Sequence, residues 1–473
     1  MATRCSEFSV YTQIFTIQES QIIGGNMRQE GEAPRIALIA AWSYFNKGDM
    51  LVLSSTIGLI RHMYPGSRVS ILAPDPESYQ WAAQNDRDFQ DIDVHPTLTR
   101  IRPFRGVRLR GSRQERRLAR ELFDGLPSPF WLAALALFLS AVPVLYLTSE
   151  FRRATRVLSR ASLVLWCSGN LFFAPRGYPL WPAFEEMFTL LFSKVLLRKT
   201  VLFAPISLGP VQSAITRSLL KAILNRADYV LFRENASYEY ARMIGMASRT
   251  AGVSADSAFL YGHELPRRRT GPKEECLTVG VAPTLLGHLE AEASRRTLDA
   301  ITRLLHEIVS RGCRVVLLPF SPAEGDTIAA DYISRSLGTG ERLVKHDLTY
   351  ASSEELLRRV SEVDVLVTMR LHPLIAASLM GIPSVAIVSQ KKKVWGTLRQ
   401  LGMEDYALDA EELSEMALKE KFSRLLRDLE AVKSRLCRTV LQRRADAASL
   451  ERLLRVFLPP SSQSTDARNP PQD

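Results

Sequence analysis

No Cys-x-x-Cys pair and no His-Glu-x-x-His occurs anywhere in the 473 residues. The five cysteines, at positions 5, 167, 276, 313 and 437, are scattered and odd in number. Such usage predicts reduced, mostly buried thiols of a cytosolic protein and excludes both a disulfide framework and a zinc site, so no metal ligands are expected. The seven histidines are equally dispersed. At the N-terminus no basic region leads into an apolar run, and no secretory signal is expected. Acid is short relative to base: 50 Asp and Glu against 61 Lys and Arg leave a formal net charge of +11. That surplus favours an anionic partner, whether phosphorylated substrate, acidic membrane surface or nucleic acid. What is abundant is ordinary globular material, 46% hydrophobic and 23% charged residues, which excludes wholesale disorder.

This length predicts two or three domains. Residues 1–33 are polar and irregular and are expected to be a disordered leader. Arg35 to Ala41 then reads as a buried strand, and the loop Trp42 to Asp49 carries Asn46, Gly48 and Asp49 into a helix expected over Met50 to Tyr64. Asp49 is placed to be its N-cap, and Gly48 to let backbone approach a ligand; an ordinary turn plus cap is the plainer reading of the same residues. Arg68 to Leu72 completes a β-α-β start. Alternation resumes with strands at Ala161 to Cys167, running into the loop Ser168-Gly169-Asn170, at Thr200 to Ile206, and at Tyr229 to Phe232, which ends in Arg233. A salt bridge from Arg233 to Glu234 or Asp228 is the structural alternative to a binding role. The domain boundaries expected are an N-terminal Rossmann-like domain over 34–264, a charged, proline-bearing linker over 265–275, a second Rossmann-like domain over 276–410, C-terminal helices over 411–457 and a disordered tail over 458–473.

The stretch Val363 to Val388 organises the second domain. An apolar run ends in Arg370-Leu371-His372, a helix-like run starts at Pro373, and Gly381 and Pro383 return the chain to a second apolar run. Proline suits the first turn of a helix and glycine the position just past its end. This strand-helix-strand unit puts Arg370 and His372 at the C-terminal edge of a parallel sheet and at a helix N-terminus, where anions bind in open α/β sheets. The alternative is structural: Arg370 paired with a carboxylate such as Asp364, and His372 capping the helix. Further on, Ser352 to Glu355 has the form of a capping box.

One insertion interrupts the first domain at about 100–160. Nine arginines crowd Arg100 to Arg120, an uncharged run follows from Phe130 to Leu147, and Arg152, Arg153, Arg156 and Arg160 lie beyond it. A buried helix, a transmembrane helix and a segment lying in an anionic leaflet all fit. A spanning helix would put the strands on its two sides into different compartments, and the basic flanks favour the membrane surface over burial. Nucleic acid is not expected, because aromatic interleaving and a binding motif are missing.

Read together, these motifs resemble the polysaccharide pyruvyl transferase family. They are N-x-G-D at Asn46 to Asp49, F-R-E-N-A-S at Phe232 to Ser237, A-D-S-A-F at Ala255 to Phe259, M-R-L-H-P-L-I-A-A at Met369 to Ala377, G-I-P at Gly381 to Pro383, and a lysine at Lys393 followed by L-R-Q-L-G. The chain departs from the family at Cys167-Ser168-Gly169-Asn170, where a glycine-rich loop is usual. The resemblance implies an α/β fold of two Rossmann-like domains facing a cleft, GT-B-like, with C-terminal helices. It also implies transfer of pyruvate from phosphoenolpyruvate to two hydroxyls of a sugar as a ketal, with no cofactor and with phosphoenolpyruvate as donor substrate. By the same resemblance Arg233, Arg370, Leu371 and Lys393 would hold the donor, His372 would be the general acid, Asp49 would act on the acceptor hydroxyl, and Asn46, Gly48, Gly169 and Asn170 would line the substrate site. The acceptor would be a sugar or lipid-linked oligosaccharide of an exopolysaccharide or cell wall, met by a cytoplasmic enzyme peripheral to the inner face of the membrane. A nucleotide-sugar glycosyltransferase of the same architecture, and an inactive membrane-associated component of polysaccharide assembly, are the competing readings.

Overall fold

The computed structural model describes residues 33–40, 42–98, 149–167, 169–171, 188–209, 211, 214–247, 250–262, 277–285, 291–338, 340–389 and 391–459. The expected leader, nearly all of the arginine-rich and apolar insertion with Phe130 to Leu147, the linker 265–275 and nearly all of the tail fall outside these residues.

The chain folds into two parallel sheets. In the first, β1 (Arg35–Ala40), β2 (Arg68–Ala73), β3 (Asp93–Pro96), β4 (Leu163–Cys167), β6 (Val201–Leu208), β7 (Tyr229–Phe232) and β8 (Ala251–Val253) stand in the order β3-β2-β1-β4-β6-β7-β8, with β5 (Asn170–Leu171) paired to β6 beside that path. Its helices are α1 (Lys47–Met63), α2 (Pro76–Asn85), α3 (Ser149–Arg160), α4 (Ala214–Leu224) and α5 (Asn235–Met243). The second sheet has the order β11-β10-β9-β12-β13-β14, built from β9 (Thr278–Ala282), β10 (Arg314–Leu317), β11 (Leu343–Lys345), β12 (Val365–Thr368), β13 (Ser384–Val388) and β14 (Ala407–Asp409). With it go α6 (Ala291–Ser310), α7 (Asp326–Leu337), α8 (Ser353–Val360), α9 (Leu371–Leu379) and α10 (Lys391–Leu401), and α11 (Glu415–Arg427), α12 (Leu429–Ala447) and α13 (Ser449–Phe457) follow. Each sheet is a Rossmann-like unit, as the sequence implied.

Helices cover both faces, so central strands are buried at every position and almost wholly apolar: all of β4 (LVLWC) and of β13 (SVAIV) is buried. In both sheets the strand order reverses beside the first strand, between β1 and β4 and between β9 and β12. Such a reversal parts the neighbouring loops and leaves a crevice beyond the C-terminal strand ends.

Local signals explain the helix that matters most. α9 carries Pro373 in its first turn and ends at Met380, after which Gly381 takes φ +66°. Gly381 N–H donates to Ser378 O at 2.9 Å and Ile382 N–H to Ala377 O at 2.8 Å, the paired bonds of a Schellman cap. Ser352 caps α8, its Oγ accepting from Glu355 N–H at 3.2 Å. The start of α1 corrects an expectation: Asn46, and not Asp49, is the N-cap, its side chain accepting from Gly48 N–H at 3.1 Å and Asp49 N–H at 3.5 Å. The helix begins at Lys47, and Asp49 falls inside its first turn. The expected C-terminal helices are divided at Asp428, which separates α11 from α12. Among the cysteines, Cys167 is free and buried and Cys437 is free and exposed, whereas Cys313 is disulfide-bonded, against the expectation of reduced thiols.

The two units meet through α1 and the C-terminal helices. Lys47 N–H donates to Phe320 O at 2.9 Å, and the wholly buried Lys47 Nζ to Ala351 O at 2.8 Å while lying 4.1 Å over the Tyr44 ring. Ser54 and Ser353 hydroxyls bond at 2.7 Å, and Tyr64 Oη donates to Leu454 O at 3.0 Å. Gln400 on α10 donates to Arg233 O at 3.2 Å. Among the described residues no helix is long and apolar enough to cross a membrane.

Candidate functional site at the junction of the two sheets

The loops after β1, β4, β7 and β8 of the first sheet converge on those after β10 and β12 of the second. His372, in the first turn of α9, is the residue they share. Gly48 at the start of α1 lies so close that a Cβ there would sit 2.1 Å from His372 Nδ1. A Cβ on Gly169, after β4, would sit 3.0 Å from Arg233 Nη1 and 3.4 Å from His372 Nε2. Both positions therefore need a residue without a side chain, for close approach rather than for unusual φ.

Arg233, at the end of β7, is buried. Its Nη1 pairs with Asp256 Oδ2 at 2.5 Å, and its Nε and Nη2 donate to Ser207 Oγ at 3.0 and 2.8 Å. The same Asp256 oxygen lies 3.9 Å from His372 Nε2. Glu234 accepts the hydroxyls of Ser207 and Ser237, and Asp228 takes Lys194, so Arg233 finds its carboxylate on the next strand's loop. Arg370 is held from a different side. Its Nη1 donates to Asp326 Oδ1 at 2.8 Å, and its Nη2 meets Glu324. Asp364, the partner considered from sequence, accepts instead the amide of Thr278 at 3.0 Å. Asp326 is fixed in turn by the amides of Phe320 and Ser321 at 3.0 and 2.8 Å. Asn46 Nδ2 reaches Glu324 at 3.4 Å, joining the loops of the two sheets.

His372 does not cap its helix; Arg370 occupies the N-cap position without a side-chain cap bond. The His372 Nε2 atom is buried and, among the described residues, has no hydrogen-bond partner, an unusual state for a buried ring nitrogen. Burial pushes the imidazole down from 6.5 to about 4; Asp256 opposes this, and Arg233 and Arg370 reinforce it. Asp49 goes the other way: burial, with Glu324 adding to it, pushes the carboxyl up from 3.8 to about 7 despite Arg370 and Arg233. Asp256 is pushed up by burial but pulled down further by Arg233 and His372, ending below the usual carboxylate range.

Other expected residues are placed as follows. Leu371 is half-buried and packs against the main core. Asn170 lies in β5, paired with Ser207 of β6. Lys393 lies in the first turn of α10. Sequence reasoning missed Ser207, Asp256, Glu324 and Asp326 as site residues, and Lys47 as an interface residue. Asp256 stood inside the noted A-D-S-A-F motif, but nothing in the chain pairs it with Arg233 before β7 and β8 are adjacent. Among the described residues no group of three His, Cys, Asp or Glu is arranged to hold a metal ion.

The sequence profile of polysaccharide pyruvyl transferases matches residues 46–391 of this chain. The chain belongs to the polysaccharide pyruvyl transferase family. Among its relatives is the amylovoran biosynthesis protein AmsJ of Erwinia amylovora, 25% identical over 296 residues that cover 58% of this chain and 68% of AmsJ. Solved structures share the architecture of this pyruvyl transferase family member at much lower identity. HepE of Anabaena, in complex with UDP, is 11% identical, with 89% of this chain and 98% of that chain covered at a TM-score of 0.52. A UDP-GlcNAc 2-epimerase from Neisseria meningitidis bound to UDP-GlcNAc is 10% identical, with 90% and 99% covered at 0.51. These last two bear on the fold alone, and they agree with a GT-B-like pair of Rossmann-like domains. Family and relative together make this protein a transferase of polysaccharide biosynthesis.

Proposed function

We propose that this transferase takes phosphoenolpyruvate as donor and forms a pyruvate ketal on two hydroxyls of a sugar. The observation that carries this reading is the buried His372 Nε2, which has no hydrogen-bond partner among the described residues and lies within reach of the charges of Arg233 and Arg370. Two guanidiniums suit the carboxylate and phosphate of the donor, and the ring nitrogen suits its methylene carbon.

Pushed down to about 4, His372 is neutral at pH 7 until the donor's charge reaches it. Its displacement from 6.5 to about 4 is worth about 3 kcal/mol. One opposite charge at about 4 Å contributes about 4 kcal/mol at an effective dielectric of about 20. A donor carrying several negative charges is therefore enough to load the proton, and the acid forms only when there is something to protonate. His372 then delivers its proton to C3, which turns methylene into methyl and leaves C2 electrophilic. The first sugar hydroxyl adds to C2; the second replaces the phosphate, whose C–O bond breaks. Of the two hydroxyl protons one restores His372 and one leaves with phosphate. Asp49 is a group for receiving a hydroxyl proton on the acceptor side. No cofactor enters this scheme.

The acceptor we assign is a sugar or lipid-linked oligosaccharide, reached by a cytoplasmic enzyme lying at the inner membrane face through Phe130 to Leu147 and its flanking arginines. A nucleotide-sugar donor is the competing reading, since HepE is solved with UDP and two arginines also suit a diphosphate. Thermal unfolding separates them. Phosphoenolpyruvate is expected to raise the melting temperature of the wild type and not of Arg370→Ala, with UDP inert. Stabilisation by UDP alone moves the assignment to a glycosyltransferase.

A further inference from the structure

We propose that Glu324 is an internal stand-in carboxylate: it occupies half of the Arg370 fork and swings out when an anionic substrate arrives. This rests on the reading of Arg370 as a donor-binding group and adds to it a residue that controls access.

The two carboxylates on Arg370 are not equivalent. The Asp326 side chain is 1% exposed and anchored by two backbone amides, so it is part of the frame that aims the guanidinium. The Glu324 side chain is 52% exposed. Among the described residues it is tied only to Arg370 Nη2 and, at 3.4 Å, to Asn46 Nδ2. One edge of the fork is thus built into the protein, and the other is met by a group free to leave. A carboxylate lying between Arg370 and Asn46 has the chemistry of the donor's own carboxylate held between the two domains.

Charge makes the exchange necessary. Around His372 stand two guanidiniums, Arg233 and Arg370, and four carboxyl groups, Asp49, Asp256, Glu324 and Asp326. With Asp49 holding its proton to about 7, the three other carboxylates outnumber the two guanidiniums, and withdrawal of one balances the set as an anion arrives. Asp49, Asp256 and Asp326 are buried, and only Glu324 faces solvent into which it can move. Its position follows from the sequence: Pro322 to Glu324 form a single 3-10 turn ended by Gly325 at φ +85°, which places the carboxylate at the rim while Asp326 points inward at the head of α7.

Binding of inorganic phosphate, followed by calorimetry, tests this whichever donor the enzyme uses. In Glu324→Gln the fork is released from a charged competitor, and phosphate should bind about tenfold more tightly than in the wild type. Because Arg370→Ala alone strands the buried Asp326, the arginine is removed together with it. The gain from Glu324→Gln should disappear in an Asp326→Asn/Arg370→Ala background. Unchanged or weaker phosphate binding in Glu324→Gln, or a gain that survives loss of Arg370, overturns the proposal. Phosphoenolpyruvate is titrated in parallel. If Glu324→Gln tightens phosphate while neither form binds phosphoenolpyruvate, the stand-in carboxylate holds and the donor assignment fails. If phosphoenolpyruvate binds and Glu324→Gln changes neither ligand, the donor assignment holds and Glu324 is an ordinary rim residue.

Discussion

Asp49 and His372 are both buried beside the same charged groups, Arg233, Arg370, Asp256 and Glu324, yet are displaced in opposite directions, because burial penalises whichever form carries charge. By themselves these shifts leave the proton on Asp49 and none on His372, so the roles proposed above depend on the donor's charge loading His372. The signs have a consequence for stability. Folded Asp49 keeps its proton to about 7 whereas an unfolded Asp loses it near 3.8, so this residue makes stability fall as pH rises across that interval. His372 is protonated in the unfolded chain up to 6.5 but in the folded one only to about 4, so it makes stability rise over nearly the same range. The two largely cancel in the wild type. Asp49→Asn removes the falling contribution, and urea unfolding at a series of pH values should show the variant gaining on the wild type between about pH 4 and pH 7, by on the order of 4 kcal/mol at most. Parallel stability curves would contradict the burial argument. At this scale the sequence exposed Arg233, Arg370 and His372 through their positions at apolar-run ends. It hid Asp256, Glu324 and Asp326, whose meaning depends on pairing across strands far apart in the chain.

Helix α9 shows how an element aims a side chain. Pro373 starts it and the Schellman cap at Gly381 stops it, which fixes both its register and the place of His372. A Cβ on Gly381 would meet only Cys437 Sγ at an ordinary 3.8 Å, so Gly381→Ala has room and suffers backbone strain alone. Chemical denaturation should show a loss of about 1–2 kcal/mol; no loss would mean that the cap does not hold the left-handed turn. Signals of this local kind were legible in advance: Pro373, Gly381 and the Ser352 capping box each act within a few residues. The start of α1 was misread for an instructive reason. Asn46 and Asp49 are both good caps, and a chain position cannot tell which carboxyl or amide is wanted elsewhere. The structure gives the cap to Asn46 and leaves Asp49 in the pocket.

Over the whole molecule, two strand-order reversals face each other, and the loops beside them supply Asn46, Gly48, Gly169, Arg370 and His372. The alternation of apolar runs and helices made the two Rossmann-like units legible before any coordinates. The joint between them was not, since it depends on Lys47, whose burial against Ala351 and the Tyr44 ring has no sequence signature in a loop that reads as an ordinary turn. The assignment of the enzyme to a membrane surface belongs to this scale as well. Replacing Phe130 to Leu147 with a polar linker should abolish sedimentation with anionic vesicles, and unchanged sedimentation would remove the membrane from the account. The central claim, that this chain moves pyruvate from phosphoenolpyruvate to a sugar, is tested most directly by supplying carbon-labelled phosphoenolpyruvate with a glycan extract from source cells lacking the protein. Label is expected to enter the glycan as an acid-labile ketal, with one phosphate released per label, and neither event is expected with Arg370→Ala. Label that stays in phosphoenolpyruvate while a UDP-sugar is consumed would contradict the claim.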